Sequence, residues 1–542
     1  MTTATQGQAA LTPAEIARHP MLMHLDQPLP ATPEQLEIFH RLLCPETPSE
    51  ALVINACAGS SKTTTMVEGV NRMVAAGTEP RTVLCLAFNK SIADTLAEKM
   101  PQGTTSKTLN ALGHAALRSY FGSAKIDQRK LSRILAEIMP AYFDLQPAER
   151  RILVRAIELA KMNGIWPTET QWNDGLSLAG EKIRFPQLTP RYINPLDADS
   201  FFHSFIQESD AAETLSPYSS YLPVVLTLDL IQSFTQQIFS FIDQIYLPAT
   251  VASISLPRYL NVFVDEAQDL SRIEQHLLEQ IVSIVPKGRL VAVGDRAQAI
   301  YAFKGADPAA FKNLAKKWKA HYLTLSISFR CAHAVVEEAR HYDDRITAWD
   351  QSPRGQVSHL APGEWNFTNL PAGTAILCRM NYPLVQAAIT MIRNHLSVEF
   401  LGRDLANQLD DFLQIHSKRI KSMSGLWAKL KNEYFQKLEK SPREADRVED
   451  QTECLRAIAD FYGIEEIRDL APAIKRFFSM EGNLKLATIH KAKGLEFPHV
   501  ALLRPDLCPS PRASSPDEVQ QEHNLLYVAI TRAQISFSYL ES

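Results

Sequence analysis

The sequence predicts a multidomain α/β protein, and three observations support this prediction. Short apolar runs rich in β-branched residues alternate with helical patterns, as the buried strands of parallel sheets do. These runs form two groups, one before about residue 325 and one after it. A chain of 542 residues, 45% hydrophobic and 21% charged, is also long enough for several packed cores. The predicted strand runs are ALVINA at 51, TVLCLAF at 82, LNVFVDE at 260, RLVAVGD at 289, TAILCR at 374, LKLATIH at 484 and HVALLR at 499.

Two long stretches interrupt the predicted strands, and both are expected to be helical. The first, 115–255, contains RKLSRILAEIMPAYF and TLDLIQSFTQQIFSFIDQIYL. The second, 406–475, contains QIHSKRIKSMSGLWAKLKNEYFQKLEK followed by an acidic segment. Each stretch is interpreted as an insertion into an α/β domain. The two predicted α/β domains are 1–114 with 256–325, and 326–405 with 476–542.

Composition excludes several classes of protein. Lys and Arg total 56 against 60 Asp and Glu, and this net charge of −4 excludes a wholly basic surface but leaves room for a local basic groove. The 7 cysteines contain no C-x-x-C pair, which disfavours a disulfide scaffold, a zinc ribbon or an iron–sulfur cluster. The chain has no run of about 18 apolar residues and no signal-peptide pattern. We therefore expect a cytoplasmic protein without a membrane partner.

The segment ALVINACAGSSKTTTMVEGV indicates a phosphate-binding loop between a strand and a helix. Small residues let consecutive backbone N–H groups surround phosphate oxygens, and the helix N-terminus adds positive potential. Lys62 would reach the β- and γ-phosphates, and Thr63 would ligate magnesium. The strict G-x-x-x-x-G-K-[ST] pattern is not met, because Ala56 and Ser61 replace its outer glycines. The alternative is a small-residue turn with an exposed lysine, which Ser61 favours if its φ must be positive.

Two acidic residues, Asp265 and Glu266, follow the apolar run in NVFVDEAQDL. Adjacent carboxylates at the end of a strand suit a group that helps to hold magnesium and a base that orients the attacking water. A solvated acidic turn is the alternative for this pair taken alone. Together with the phosphate loop, the pair predicts nucleotide hydrolysis.

These residues resemble the UvrD/Rep family of superfamily 1 DNA helicases, and in several details its F-box DNA helicase branch. The resemblance covers most of the chain in motif order. Family sequences read A-x-A-G-[ST]-G-K-T in the phosphate loop, so Ala56 agrees with them and only Cys57 and Ser61 depart from the usual glycines. The resemblance implies two RecA-like P-loop NTPase domains with helical insertions, using ATP and Mg²⁺.

The resemblance also implies roles around the nucleotide. Gln35 in LPATPEQLEIF would read adenine, and Gln298 in VGDRAQAIYAFKGA would sense the γ-phosphate. Phe329 in LTLSISFRCAHAVVEEA would stack on adenine, and Glu496 in LATIHKAKGLEFPHV would engage the ribose. The implied catalytic residues are Lys62, Asp265, Glu266, Gln298, Arg330 and Arg532, with Thr63 and Asp265 at the metal. The implied ATP-binding residues are Gln35, Ala56, Cys57, Ala58, Gly59, Ser60, Ser61, Lys62, Thr63, Thr64, Phe329 and Glu496.

Arg330, and Arg532 in EHNLLYVAITRAQ, are expected to act on the transferred phosphoryl group. An arginine finger contributes roughly 10³- to 10⁵-fold to the rate of such a transfer. If these arginines lie on one RecA-like domain while Lys62 and Glu266 lie on the other, ATP is expected to close the cleft between the domains. The alternative for each arginine alone is a surface or ion-paired residue.

Nucleic-acid contacts are expected from aromatic stacking and local charge, which do not read sequence strongly. The candidate DNA-binding residues are Phe88, Asn89, Lys90, Thr108, Asn110, Phe303, Lys304, Arg379, Thr488 and His490. Asn110 departs from the usual histidine of the family, and core packing is the alternative for Phe88 and Phe303. The candidate DNA-binding residues are together called the track. Further basic residues either extend this track or form solvated helix faces. They are Lys312, Lys316, Lys317, Lys319, Lys418, Arg419, Lys421, Lys429 and Lys431.

The resemblance implies a DNA-stimulated, ATP-dependent 3′ to 5′ single-strand translocase and DNA helicase. Repair, recombination, and mobile-element or phage-related DNA processing are the expected settings. Single-stranded DNA and single/double-strand junctions are the expected partners, in a cytoplasmic, nucleoid-associated location. Thr488 lies 158 positions after Arg330 (488 − 330), and only about 70 of these lie outside the two-domain core. Typical members of the family that this chain resembles have a larger accessory domain at this place, so the resemblance implies that the accessory domain is reduced here. Strand separation is therefore expected to depend on a regulatory protein partner or on the 115–255 insertion.

Two other functions remain as alternatives. A nucleotide-dependent switch or assembly subunit without efficient turnover is suggested by Ser61 and the reduced accessory domain. A fused helicase and nuclease is disfavoured, because no cluster of carboxylates with a lysine follows YVAITRA.

Overall fold

The protein is described here from a computed structural model. The described residues are 31–138, 147–188, 198–208, 220–402, 404–417, 420–440, 442–513 and 515–541. Lys418 and Arg419 of the predicted basic set, and the N-terminal segment expected to lack a signal peptide, lie outside the described residues. Within the described part of the chain, no helix combines the length and apolar character needed to cross a membrane.

The chain forms two compact units. The first unit contains the described residues up to Cys57, together with Ser61–Arg296 and Tyr301–Leu325. The second contains Ala58–Ser60, Ala297–Ile300 and the described residues from Ser326 onward. Short pieces of the phosphate loop and of the segment around Gln298 therefore belong to the second unit.

A six-stranded parallel sheet, with strand order β3-β2-β6-β7-β1-β8, forms the centre of the first unit. The strands in this part of the chain are β1 (Leu52–Ala56), β2 (Val83–Leu86), β3 (Thr105–Lys107), β4 (Lys125–Ile126), β5 (Ile238–Phe239), β6 (Asn261–Val264), β7 (Arg289–Gly294) and β8 (His321–Leu325). Strands β1, β2, β6 and β7 are buried along their whole length, as is typical of parallel sheets that are covered on both faces. They correspond to the four strand runs predicted before residue 325.

Helices surround this sheet and also form the first insertion. They are α1 (Pro33–Leu43), α2 (Lys62–Ala75), α3 (Lys90–Lys99), α4 (Leu109–Phe121), α5 (Lys130–Ile138), α6 (Pro147–Met162), α7 (Glu169–Ala179), α8 (Ala198–Glu208), α9 (Leu222–Gln236), α10 (Asp243–Thr250), α11 (Arg272–Ile281) and α12 (Ala310–Trp318). Strands β4 and β5 form a small parallel pair within the insertion. One continuous hydrophobic core joins the sheet residue Val264 to insertion residues such as Trp172 and Leu226.

The register of the first sheet brings the functional loops to one edge. Strand β1 pairs with β7 in the register Asn55↔Gly294, and β6 pairs with β7 in the register Val264↔Ala292. All three strands run in the same direction, so the segments that follow them meet at the carboxyl edge of the sheet. This edge is where ligands bind in open parallel α/β sheets.

A second six-stranded parallel sheet, with order β11-β16-β15-β12-β14-β13, forms the centre of the second unit. Strands β9 and β10 form a separate short pair. The strands are β9 (Ile327–Ser328), β10 (Thr347–Ala348), β11 (Gln356–Leu360), β12 (Thr374–Cys378), β13 (Val398–Phe400), β14 (Leu484–Thr488), β15 (Phe497–Leu503) and β16 (Ala533–Leu540). Strands β12, β14 and β15 correspond to the three runs predicted after residue 325. The α/β class with parallel sheets is confirmed.

The helices of the second unit include a compact group of four in the second insertion. The helices are α13 (His333–Ala339), α14 (Tyr382–Arg393), α15 (Asp404–His416), α16 (Met423–Lys440), α17 (Pro442–Tyr462), α18 (Ile467–Phe478), α19 (Ile489–Ala492) and α20 (Pro516–Ile530). The core of the unit joins Ile376 of β12 to Leu430, Ile458 and Ile474 of helices α16 to α18. The second insertion is therefore packed onto the sheet of its own unit. Single turns of 3₁₀ helix are Pro80–Thr82, Ala267–Asp269, Arg296–Gln298, Ala302–Lys304, Phe367–Asn369 and Pro505–Leu507.

Candidate nucleotide and nucleic-acid sites

The phosphate loop joins the end of β1 at Ala56 to the start of α2 at Lys62. Gly59 has a φ of +73°, and Ser61 has a φ of +61° as the N-cap of α2, where its side chain makes no capping bond. A left-handed backbone is rare for residues other than glycine. A positive φ at Ser61 was the condition that favoured a simple turn over a phosphate-binding loop, and this positive φ is present. The chain nevertheless forms the strand, loop and helix of the phosphate-binding motif.

Lys62 points to the acidic residues at the end of β6. Its Nζ lies 3.2 Å from Oε1 of Glu266, and both side chains are mostly buried. Burial alone lowers the pKa of Lys62, but the carboxylates of Glu266, Asp295 and Asp265 outweigh it and raise the pKa above its usual value. The lysine is therefore held as a cation, and the alternative of a turn with an exposed lysine is wrong.

Thr63 and Asp265 bring oxygen atoms together beside this ion pair. The Thr63 hydroxyl donates to Oδ2 of Asp265 at 3.3 Å. Burial and, to a smaller extent, repulsion from Glu266 raise the pKa of Asp265 to about 6. A hydroxyl and a carboxylate next to a second carboxylate suit a hard divalent cation, which relieves the repulsion between the acids. These residues fit magnesium.

Gln35 connects α1 to the helix that follows the phosphate loop. Its Oε1 accepts from the backbone N–H of Thr32 at 2.9 Å, and its Nε2 donates to the Thr65 hydroxyl at 3.1 Å. The Thr32 side chain accepts in turn from the backbone N–H of Gln35, which completes a capping box. Both ends of the amide thus have partners inside the protein, and adenine reading by Gln35 stays a prediction.

In the second unit, Gln298, Arg330, Glu496 and Arg532 lie close together. Arg532 is buried, and its Nη2 donates to Oε1 of Gln298 at 3.3 Å. Arg330 donates from Nη1 to the Thr531 carbonyl at 3.2 Å and pairs through Nη2 with Glu496 at 2.5 Å. Burial raises the pKa of Glu496, but Arg330 outweighs this effect and lowers the pKa below its usual value. Four candidate residues, separated by up to 234 positions, are therefore gathered by folding.

The phosphate-loop residues of the second unit contact these same elements. The Ala58 N–H donates to the Tyr527 hydroxyl at 3.0 Å, and the Gly59 carbonyl accepts from the Phe329 N–H at 2.9 Å. A Cβ at Gly59 would lie 2.6 Å from Cβ of Arg330, so this position requires glycine for space as well as for its φ. Phe329 packs against Trp349, with ring centroids 5.9 Å apart.

Exposed aromatic rings lie near the carboxyl ends of β2 and β7. Phe88 is 54% exposed and stacks on Tyr301 with centroids 6.2 Å apart. Phe303 is 57% exposed and meets Tyr301 edge-on at 6.2 Å, while Nζ of Lys304 lies 4.4 Å from the Tyr301 ring centre. Core packing, the alternative for Phe88 and Phe303, is therefore wrong.

The polar candidates near these rings also have local structural roles. Asn89 caps α3 by accepting from the Ile92 N–H, and Thr108 caps α4 by accepting from the Ala111 N–H. Nδ2 of Asn110 donates to the carbonyl of Phe241 at 3.2 Å. Lys90, the first residue of α3, is exposed.

Two candidate positions of the second unit share one sheet edge. Strands β12 and β14 pair in the register Cys378↔Thr488, so Arg379 follows β12 beside Thr488, the N-cap of the short helix that contains His490. Arg379 binds Glu522 of α20 through Nε and Nη2 at 2.9 to 3.2 Å. Burial lowers the pKa of Arg379, but Glu522 outweighs it and raises the pKa. The structure thus gives this candidate DNA contact a carboxylate partner.

Two family models match this chain over most of its length. The model of the UvrD/REP helicase N-terminal domain matches residues 40–319, and that of the UvrD-like helicase C-terminal domain matches residues 231–539. The chain belongs to the UvrD/Rep helicase family. Its two units are accordingly RecA-like P-loop folds, as the resemblance implied.

Named relatives of this UvrD-family chain are helicases. F-box DNA helicase protein 1 of Schizosaccharomyces pombe is 23% identical over 527 residues, which cover 91% of this chain and 55% of that protein. The putative ATP-dependent DNA helicase YjcD of Bacillus subtilis is 30% identical over 83 residues, 15% of this chain and 11% of that protein. An ATP-dependent helicase/nuclease component of Staphylococcus epidermidis is 26% identical over 184 residues, 27% of this chain and 15% of that protein. The chain thus spans about half the length of its F-box relative and less of the other two.

Sequence reasoning missed several residues of this UvrD-family chain. Phe241 is 57% exposed beside Asn110, and Tyr301 stacks on Phe88. Gln268 and Asp295 are buried next to Glu266 and Lys62. The available signals were an aromatic residue a few positions after an apolar helix, in QQIFSFIDQ, and polar residues at or just beyond the ends of two predicted strand runs.

Proposed function

We propose that this chain is an ATP-dependent DNA helicase motor that moves 3′ to 5′ along single-stranded DNA. The observation that carries the proposal is the cluster at the carboxyl edge of the first sheet, where Lys62 pairs with Glu266 and Thr63 bonds to Asp265. Membership of the UvrD/Rep family supports ATP as the nucleotide and DNA as the substrate. The 3′ to 5′ polarity rests on the family resemblance.

Residues of the first unit would bind ATP and activate water. Lys62 would neutralise the β- and γ-phosphates, which replace Glu266 as its partner. Thr63 and Asp265 would hold the magnesium ion, which when bound neutralises phosphate charge. Glu266 would accept a proton from water while the water oxygen bonds to the γ-phosphorus. The bond from this phosphorus to the β-phosphate oxygen breaks, and ADP and phosphate leave.

Residues of the second unit would respond to the transferred phosphoryl group. Arg330 and Arg532 would stabilise its developing charge, and Gln298 would report its presence through the bond to Arg532. Glu496, which pairs with Arg330, would then turn to the ribose.

Single-stranded DNA would bind through rings and polar groups at sheet edges. Exposed Phe88 and Phe303 would stack bases, and Lys304 would contact the backbone. The remaining proposed contacts are Asn89, Lys90, Thr108, Asn110, Arg379, Thr488 and His490. Single/double-strand junctions, a regulatory protein partner and a nucleoid-associated location belong to this proposal, as do the domain boundaries given above.

The test is steady-state ATP hydrolysis by the purified chain, with and without single-stranded DNA. Lys62→Ala is expected to abolish DNA-stimulated turnover, and Glu266→Gln to abolish it while ATP still binds. Lys182→Ala, which changes an exposed lysine of the first insertion, serves as the matched control. Normal turnover in either site variant would overturn the site assignment.

A nucleotide-dependent switch without efficient turnover is the second candidate. The observation that favours it is the left-handed Ser61 in the phosphate loop, next to an Ala58 N–H already bonded to Tyr527. Tight binding of ATP by the wild-type chain without hydrolysis, with or without DNA, would support the switch.

A further inference from the structure

The amide of Gln268 lies directly beside the proposed general base. We propose that Gln268 is a positioning residue that holds the Glu266 carboxylate in its orientation for hydrolysis. The inference rests on the proposed function and adds to it a residue that none of the candidate sets contains.

Gln268 bonds at both ends of its side chain. It belongs to the 3₁₀ turn Ala267–Asp269 that follows Glu266, and it is only 2% exposed. Its Nε2 donates to Oε2 of Glu266, and its Oε1 accepts from the backbone N–H of Asp295 at 3.0 Å. A glutamine amide is able to donate at one end and accept at the other, whereas a carboxylate only accepts. The amide therefore ties the carboxylate after β6 to the backbone after β7.

The backbone of β7 is shaped to admit this amide. A Cβ at Gly294 would lie 2.1 Å from Oε1 of Gln268 and 3.0 Å from the Ala267 nitrogen. Gly294 does not have a positive φ, so its lack of a side chain serves close approach rather than an unusual conformation. Any larger residue at this position would displace the Gln268 side chain.

Glu266 needs such a contact because its other oxygen has an exchangeable partner. Oε1 pairs with Lys62, and this partner is expected to turn to the phosphates when ATP binds. The bond from Gln268 to Oε2 does not involve the lysine, so we expect it to persist through that exchange. A general base must stay within hydrogen-bond reach of its water, and displacement by about 1 Å is enough to cost about 100-fold in rate.

The first experiment compares Gln268→Ala with Gln275→Ala in the full chain. Gln275 is a matched control, because it is also a buried glutamine of the first unit and its Nε2 donates to an aspartate, Asp307, at 2.9 Å. Gln268→Ala is expected to lower kcat for DNA-stimulated ATP hydrolysis by about 10- to 100-fold. The Kd for a non-hydrolysable ATP analogue is expected to change by less than about 3-fold in both variants. The kcat of Gln275→Ala is also expected to change by less than about 3-fold.

The second experiment separates positioning from general structural support. In single-turnover measurements, Gln268→Ala is expected to cause no further loss when Glu266 is already glutamine, because the residue acts through that carboxylate. As a single variant, Gly294→Ala is expected to lower kcat. In combination with Gln268→Ala it is expected to cause little further loss of kcat. Thermal unfolding checks that the Gly294→Ala variant is folded.

Three outcomes would overturn the inference and leave the proposed function intact. Wild-type kcat in Gln268→Ala would do so, and so would an equal fold-loss in the wild-type and Glu266→Gln backgrounds. A parallel loss of analogue binding would assign Gln268 a structural role instead. A wild-type chain that hydrolyses no ATP overturns the proposed function itself, and the inference with it.

Discussion

Ser61 shows how one residue depends on the backbone around it. The residue adopts a φ of +61° immediately before the helix of the phosphate loop. A side chain in this conformation costs roughly 1 to 2 kcal/mol, which glycine avoids. Because β1 and α2 hold both ends of the loop, the loop keeps its conformation. The strain at Ser61 therefore lowers the free energy of unfolding of the protein.

Replacing Ser61 by glycine is expected to stabilise the protein. The relief of strain is partly offset by the greater freedom of glycine in the unfolded chain, which leaves a net gain of up to about 1 kcal/mol. The midpoint of thermal unfolding would then rise by up to about 2 °C, because the entropy of unfolding is large for a unit of this length. Ser61→Ala is the control, because it removes the hydroxyl and keeps the strain. Equal stabilisation by alanine would show that strain is not the cause.

Phe303 is expected to contribute a base-stacking contact. Loss of one such contact costs about 1 to 3 kcal/mol, so Phe303→Ala should weaken single-stranded DNA binding by about 5- to 150-fold. The concentration of DNA that half-maximally stimulates ATP hydrolysis measures this effect, and basal hydrolysis should not change. Phe435→Ala is the control, since Phe435 is also exposed, at 52%, but lies in the second insertion. Equal effects of the two variants would remove Phe303 from the track.

The sequence indicates which candidate residues lie together most clearly where they are neighbours at the ends of strands. Lys62 and Thr63 follow one strand and Asp265 and Glu266 another, and parallel strands bring their ends together. The pairing of Arg379 with Glu522 joins residues 143 positions apart, and nothing in the local sequence indicates it. Charge neutralisation over such a distance is a property of the fold.

The strands of this protein also divide into those with a clear local signal in the sequence and those without one. Continuous apolar runs such as β1 and β7 were predicted, because strands buried on both faces leave a clear signal. Strand β16, AQISFSYL, was missed although it lies between β11 and β15. Its polar residues alternate with buried ones such as Phe537 and Tyr539, so it lacks a continuous apolar run. Short edge strands β3 and β8 contain polar residues for a similar reason.

Helices of the first insertion are joined by four buried charges. Lys161 bonds to Asp243 at 2.6 Å and pairs with Asp229, and Lys130 pairs with the same two carboxylates at 3.1 and 3.3 Å. All four side chains are fully buried and come from α5, α6, α9 and α10. Asp243 also accepts from the Ser240 N–H at 2.7 Å, next to exposed Phe241. The network therefore fixes the segment that presents this ring.

Breaking this network is expected to destabilise the first unit strongly. Lys161→Met leaves two buried carboxylates with one lysine, at a cost of about 3 to 5 kcal/mol. Thermal unfolding of the full chain measures the loss, and Lys182→Met, at an exposed position in the same insertion, is the control. Unchanged unfolding in Lys161→Met would show that the network contributes nothing to stability.

The pH dependence of this loss follows from the pKa shifts of the network. Burial alone would raise the pKa of Asp243, but Lys130 and Lys161 lower it, so its contribution is present above about pH 4 and is lost on further acidification. Burial lowers the pKa of Lys161, but Asp229 and Asp243 raise it, so its contribution is present below about pH 10 and is lost above that. Without Lys161, one carboxylate gains a proton more readily. The difference in stability between the wild type and Lys161→Met should therefore shrink from pH 7 to pH 4.

At the scale of the whole molecule, each unit combines nucleotide candidates with track candidates. The first holds the phosphate-loop lysine together with exposed Phe88 and Phe303. The second holds Arg330 and Arg532 together with Thr488. A motor that moves along DNA needs two DNA-binding sites, and the affinity of each site for DNA must change in turn with the state of the bound nucleotide. The sequence predicted the two groups of strands behind this arrangement, but it did not assign short pieces such as Ala58–Ser60 to the second unit.

Directional movement is the prediction that distinguishes a motor from a switch. A 3′ to 5′ translocase should speed the release of streptavidin from an oligonucleotide biotinylated at its 5′ end and should leave a 3′-biotinylated oligonucleotide unchanged. Release should require ATP and disappear in Lys62→Ala, because the lysine that would bind phosphate is lost. Release from the 3′ end alone would reverse the proposed polarity. Hydrolysis without release from either end would mean that the ATP-driven changes in the two units do not advance the chain along DNA.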